Sequence, residues 1–444
     1  MPTLCQDGPR EPDGSTTPSN SLLSSVDHLI VVMMENRSFD NFLGGLCLDP
    51  DYPAAALLDG LTGEECNPDG DGNMVKTCRQ TGNGILDPRH DWVSSRAAFN
   101  AGRNDGFVRA NLGVNQSEVM GYLGRDELPF LHGLAAQSAV CDRWFSSVMG
   151  PTWPNRFYLH AGTSQGRTKN RPMGLGAPAT VWERLAERCW SGKNYYAGAV
   201  PWYSVAFPTK SFSGTDAMVP EPIDGFFRDA ATGNLPHFAV IDPDYQLNDG
   251  HPPHEIALAE AFISSIYRAL VAAPTWSRTM LVITFDEHGG FFDHVPPPLV
   301  PDPDPNFRQL GFRVPALVTG PMVRAGQVVS TPFEHLSIAA TLRSRFGIDS
   351  LGMRMGASND LSVCIDPARV AAPTSQVSAL LPAVELRRPM TGGGALGVTS
   401  QPEMMRLAKQ GGVPLGHVDT RPDLDRMRSW LRHAQELEAV RVVG

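Results

Sequence analysis

The sequence predicts an α/β fold with a central, mostly parallel sheet flanked by helices. Short apolar runs at His28–Met34, 238–241, Thr279–Phe285 and 313–319 alternate with stretches of helical periodicity, the rhythm of strands joined by crossover helices. Within the runs the apolar residues are consecutive and do not alternate, as in strands covered on both faces. The chain has 444 residues, 42% hydrophobic and 19% charged, which is enough to bury a large core in one or two domains.

Taken in order, residues 1–25 are rich in Pro, Ser, Thr, Gly and Asp and read as a disordered or loosely docked arm. The first strand follows. The stretch from about 45 to 90 and the Pro-rich 295–309 exceed ordinary connections, and such loops tend to be lids or rims of sites. Residues 254–271 keep Ile256, Ala259, Phe262, Ile263, Ile266 and Tyr267 at helical spacing and stop before Pro274, as a core-facing crossover helix does. Thr331-Pro332-Phe333-Glu334 reads as a helix cap ahead of LSIAATLRSRF, ending at Gly347. Residues 365–415 are weakly patterned, and 422–440 form a last amphipathic helix.

Composition excludes several classes. A formal charge of -10 with no dense basic run argues against a nucleic-acid partner. No stretch reaches the roughly 18 uninterrupted apolar residues of a membrane span, and the polar N-terminus lacks a secretory core. The chain as given therefore reads as cytoplasmic, or as exported if a leader has been removed. Of seven cysteines, Cys47, Cys66 and Cys78 share one loop-rich region, as a staple or as inert thiols. NPDGDGN at 67–73 lacks the turn glycine and closing Glu of a calcium loop, and reads as a turn.

The chemistry lies where apolar runs stop. One ends on Glu35-Asn36 and another on Asp286-Glu287, followed by His288, Gly289 and Gly290, with His294 beyond. Strand ends of a parallel sheet share one edge, where such folds bind ligands. A lone acid there reads equally well as a cap; two pairs together need a counter-charge, and a divalent cation supplies one. Thr152, between Pro151 and Pro154 at the start of a helix, reads alone as an ordinary cap. Beside a metal it becomes a nucleophile, at a helix end that favours phosphate, with Asn155 and Arg156 as further donors.

The motifs ENRSFDNFLGG, HDW, GPTWPNRFYLHAGT, HPP followed by AEAFI, and FDEHGGFFDHVPPP together resemble the bacterial phosphoesterase family of phospholipases C and acid phosphatases, in that family's order. The resemblance implies an alkaline-phosphatase-like fold, with a phosphoesterase catalytic domain at 26–364 and a C-terminal extension at 365–444 whose terminal helix packs on it. It implies a metal held by Glu35, Asn36, Thr152, Asp286 and Glu287, hydrolysis through a covalent phospho-enzyme, and His90 and His251 as phosphate or leaving-group contacts. The family usually has an Asp before the His of its His-Pro-Pro motif; here Gly250 precedes His251.

The all-oxygen ligand set favours Mg2+, Ca2+ or Mn2+, with Zn2+ also possible. In the expected mechanism Thr152 attacks phosphorus, giving a phospho-threonine that water hydrolyses. His251, His288 or His294 protonates the leaving alkoxide and His90 contacts a non-bridging oxygen. The expected substrate is a phosphate ester, first a phosphodiester such as a phospholipid headgroup bond and second a small phosphomonoester. A metal- or phosphate-binding protein without turnover is the remaining reading. Trp144, Trp153 and Trp202 read as core aromatics or as a choline-accepting pocket.

Overall fold

The computed structural model describes residues 22–80, 85–114, 116–211, 218–372, 381–387 and 398–443. Eight strands form the central sheet in the order Gln327–Val328, Ala139–Val140, Ala316–Thr319, Thr279–Phe285, His28–Met34, Phe238–Asp242, Gly192–Tyr196 and Glu221–Pro222. Every pairing is parallel except the two made by Ala316–Thr319. This is the expected α/β architecture. His28–Met34 lies in the middle, and its residues from Leu29 to Met34 are at most 1% exposed, which explains why the run is continuously apolar.

The helix Ile256–Val271 crosses back over this sheet as its periodicity predicts. The terminal helix is shorter than expected: it spans Asp423–Glu436, and the chain then turns into a strand, Val440–Val443, which pairs in parallel with Val384–Arg387. Trp430 Nε1 donates to Ser265 Oγ at 3.1 Å, fastening the terminal helix to the crossover helix.

The cap at Thr331 is not formed. Phe333–Glu334 pairs instead as a short strand with Trp144–Phe145, and the helix begins at Leu336. The Glu334 carboxylate binds Arg354 and is therefore not available for capping. The C-terminal expectation holds, since Gly347 takes the left-handed conformation that ends the helix. The 313–319 run is strand only over Ala316–Thr319.

Within the long 45–90 loop, Cys66–Pro68 and Met74–Lys76 form a small hairpin. Asp69 accepts the amides of Asp71 and Asn73, making NPDGDGN a turn. Cys47, Cys66 and Cys78 are free thiols. Most of the N-terminal arm lies outside the described residues; its end, Leu22–Ser25, is a short helix that buries Leu23. Among the described residues no helix is long and apolar enough to cross a membrane.

Candidate active site

Register places the two acid pairs side by side. His28–Met34 and Thr279–Phe285 are neighbours, with Met34 opposite Phe285, so Glu35-Asn36 and Asp286-Glu287 leave the same edge together. The link is direct: Asp286 Oδ1 accepts the amides of Asn36, at 3.3 Å, and Glu287, at 2.8 Å. On the other flank Phe238–Asp242 adds a third acid at this edge.

The counter-charge for these acids already exists in the chain. Arg156, fully buried, donates from Nε to Asp286 Oδ2 at 3.0 Å and from Nη1 to Asp242 Oδ1 at 2.8 Å. Its Nη2 reaches Glu35 Oε1 at 3.3 Å and the carbonyls of Met33 and Met34. Arg156 is thus a spoke between strand ends and is spent on carboxylates; it does not serve as a phosphate donor. Asn155 is likewise occupied, its side chain bonded to the backbone of Val148, Gly150 and Pro151.

Asn36 adopts the left-handed conformation at φ +56°, which an Asn tolerates better than most residues. A Cβ on Gly289 would stand 2.2 Å from the Asn36 carbonyl oxygen, and one on Gly290 would stand 2.8 Å from that of Arg89. The Gly-Gly pair therefore admits backbone, with Asn36 on one side and the loop carrying His90 on the other. His90 Nε2 comes within 3.3 Å of Asn36 Nδ2 and 3.5 Å of Glu287 Oε1. Its ring meets that of His251 edge-on at 5.7 Å.

Thr152 opens the helix Thr152–Ala161 and is 1% exposed. Its Oγ1 accepts from Gln401 Nε2 at 3.2 Å, and the same nitrogen donates to Glu35 Oε2 at 2.7 Å. His251 sits after Gly250, with its amide donating to Asp249 Oδ1 at 3.0 Å. That oxygen also lies 2.6 Å from His254 Nδ1. Asp249, one place before Gly250, thus supplies a carboxylate to the His-Pro-Pro turn.

The remaining histidines divide. His288 Nδ1 contacts Glu287 Oε2 at 3.1 Å while its ring packs on Phe312 and Phe107, so it orients Glu287 from an aromatic recess. His294 is held elsewhere, with Nδ1 on Asp40 at 2.8 Å and Nε2 on Asp59 at 3.1 Å, beside the Arg313–Asp293 pair. Trp144, Trp153 and Trp202 are fully buried in the core: Trp153 and Trp202 pack edge-on at 5.9 Å, and the Trp144 indole N–H donates to His335.

Burial, reinforced by the Asp286 charge, pushes Glu35 well above the carboxylate range although Arg156 opposes it. Asp286 and Asp242 are raised by burial against the same guanidinium. Burial would also raise Glu287, but His90, His288 and the Gly289 amide outweigh it and hold it low. His90 is raised to about 9: burial opposes its charge, and Glu287 and Asp87 overcome that.

These residues fit a cation. Asn36 Oδ1 and Glu287 Oε1 are buried and accept no hydrogen bond, the His90 ring standing 3.5 Å from the latter, an arrangement whose desolvation cost a ligand would offset. Asp87, His90 and His251 also offer ligand atoms within 4.8 Å of one another at the more open side of the cluster.

Sequence reasoning missed Asp242 and Gln401, gave Asp249 no role, and took Arg156 for a phosphate donor where it is the partner of three carboxylates. FAVID is a third apolar run ending on an acid, so Asp242 carried the same signal as the other two. Arg156 lies one helical turn beyond Thr152, a spacing that puts both on one face. Nothing local marks Gln401, which is 249 residues from Thr152.

The phosphoesterase family model matches residues 26–349. Non-specific phospholipase C6 of Arabidopsis thaliana is 33% identical over 75% of this chain and 70% of its own. Phospholipase C A of Mycobacterium tuberculosis is 28% identical over 73% and 74%. Among solved structures, a protein in the alkaline phosphatase superfamily from Vibrio parahaemolyticus overlaps at a TM-score of 0.38 with 13% identity over 71% of this chain and 74% of that one, too loose a likeness to argue from. The chain belongs to the phosphoesterase family and is a phosphoric ester hydrolase.

Proposed function

We propose that the enzyme cleaves phosphodiesters in the manner of a phospholipase C, with Thr152 as nucleophile and a divalent cation held by Glu35, Asn36, Asp286 and Glu287 beside the Thr152 oxygen. Such a cation, once bound, supplies positive charge that favours the threonine alkoxide and screens the phosphoryl oxygens. Its all-oxygen donors favour Mg2+, Ca2+ or Mn2+. The observation that carries the reading is the pair of buried oxygens that accept no hydrogen bond, Asn36 Oδ1 and Glu287 Oε1, next to Glu35, which shares the Gln401 amide with the buried Thr152 hydroxyl.

In the first step the Thr152 hydroxyl gives up its proton to solvent and its oxygen bonds to phosphorus while the bond from phosphorus to the leaving alkoxide breaks. His251, at the more open side with Asp87 and His90, protonates that alkoxide. In the second step His251, now neutral, takes a proton from a water whose oxygen bonds to phosphorus, the Thr152–phosphorus bond breaks and a solvent proton returns to Thr152. His90 holds a non-bridging oxygen. The phospholipase C relatives support a phospholipid headgroup ester as the substrate.

Rates on p-nitrophenylphosphorylcholine and p-nitrophenyl phosphate, read with elemental analysis of the purified protein, test the proposal. Faster turnover of the first with bound metal is expected. Preference for the second identifies a phosphomonoesterase, and turnover that needs no divalent ion refutes the cation.

A further inference from the structure

We propose that Gln401, entering from the C-terminal segment, is a positioning residue of the active site that holds the Thr152 hydroxyl and the Glu35 carboxylate in register. This rests on Thr152 being the nucleophile. Gln401 lies outside the 26–349 stretch that matches the family, yet it is 1% exposed and touches both residues.

The orientation of its amide is fixed by chemistry. Trp153 Nε1, which can only donate, bonds to Gln401 Oε1 at 2.8 Å. The amide nitrogen must then face the other way, and its two hydrogens meet two acceptors, Glu35 Oε2 at 2.7 Å and Thr152 Oγ1 at 3.2 Å. Every polar atom of the side chain is used. Because the clamp is the residue next to Thr152 on the same helix, Gln401 and Thr152 keep their spacing if that helix shifts.

Two consequences bear on reactivity. The Thr152 oxygen receives a hydrogen bond, so its own proton points away from Gln401. An N–H aimed at that oxygen also favours the negative charge that develops there as the hydroxyl proton leaves. On Glu35, Gln401 binds Oε2 and Arg156 binds Oε1, leaving the carboxylate no rotational freedom.

The backbone that carries Gln401 is pinned on both sides. It precedes the helix Pro402–Lys409, with proline in the first turn. Just before it, Ser400 Oγ donates to Asp249 Oδ2 at 2.6 Å, its amide to the Tyr245 carbonyl at 2.8 Å, and the Val398 carbonyl lies 2.8 Å from His254 Nε2. Asp249 in turn holds the His251 amide. One strap thus reaches the nucleophile at one end and the His-Pro-Pro turn at the other.

The test uses full-length, Mn2+-replete enzyme and p-nitrophenylphosphorylcholine, comparing wild type, Thr152→Ala, Gln401→Leu and Gln401→Glu. Leu keeps the bulk of the side chain, and Glu keeps its outline without the two N–H donors. Both Gln401 variants are expected to lose roughly 10- to 100-fold in kcat, with KM within about threefold, the melting temperature within about 3 °C and Mn2+ affinity by calorimetry little changed. The rate of the first-turnover burst falls in the same proportion as kcat. Unchanged kcat in both variants while Thr152→Ala is inactive overturns the inference and leaves the nucleophile assignment intact. Loss of kcat only in step with lost melting temperature or lost Mn2+ also overturns it, since Gln401 would then be structural. Full activity in Thr152→Ala removes the nucleophile assignment, and the inference with it.

Discussion

Arg156 Nε donates to Asp286 Oδ2 at 3.0 Å in a region where both residues are fully buried. The same guanidinium serves Asp242 and Glu35, so three carboxylates depend on one cation. Breaking a buried ion pair leaves an uncompensated charge and costs ~3–5 kcal/mol. Arg156→Met is expected to lower stability by about that much in urea titration. A loss below about 1 kcal/mol would show that the acids find another partner.

Thr152→Ala is expected to lower kcat at least ~10^3-fold on whichever chromogenic ester wild type prefers. Thr152→Ser, which keeps the hydroxyl, retains measurable turnover. Mass spectrometry of acid-quenched wild type should find phosphate on Thr152, and modification of a different residue would move the nucleophile there.

Asn36→Ala and Glu287→Ala each remove one of the two unbonded oxygens. Each should weaken Mn2+ binding, measured by calorimetry, by about 10-fold or more. Wild-type affinity in both variants would place the cation among other ligands.

Gly289→Ala puts a methyl 2.2 Å from the Asn36 carbonyl at a backbone φ of +62°. The strain alone costs about 1–3 kcal/mol, and relieving the clash displaces Asn36. Lower melting temperature together with weaker Mn2+ binding is expected. A fully stable, metal-competent variant would mean the two loops separate without consequence.

His294 gives a pH signature separate from catalysis. Its burial opposes the charge, but Asp40 raises it to about 9 against an ordinary value of 6.5. A histidine raised on folding stabilises fully below about pH 6.5 and loses that contribution as pH climbs through about 9. His294→Gln should retain most of its turnover, lose about 1–2 kcal/mol at pH 6 and show a flatter fall in melting temperature from pH 6.5 to 9. Loss of turnover at unchanged stability would return His294 to the catalytic set.

The strand ends were legible because a parallel strand must be apolar throughout and its first polar residue marks the edge; Glu35 and Asp286 stand there for that reason. Counting acids at those ends points to a cation, but Arg156 already neutralises them from the helix Thr152–Ala161. Helical spacing puts Arg156 on the face of Thr152, but nothing local says which charges that face meets. Thr331 failed as a cap because Phe333 pairs with Trp144, a partner nearly two hundred positions away. Gln401 failed to register for the same reason: its environment is made of residues from the far end of the chain.

The bond between Glu35 and Gln401 spans 366 residues. A ribosome adding about 5–20 residues per second takes roughly 20–70 s to make that span, so the emerging polypeptide carries Glu35 and Thr152 before the side chain that joins them exists. That contact waits on a segment beyond the family-matched residues 26–349, and a polypeptide cut short between the two carries every family motif without it.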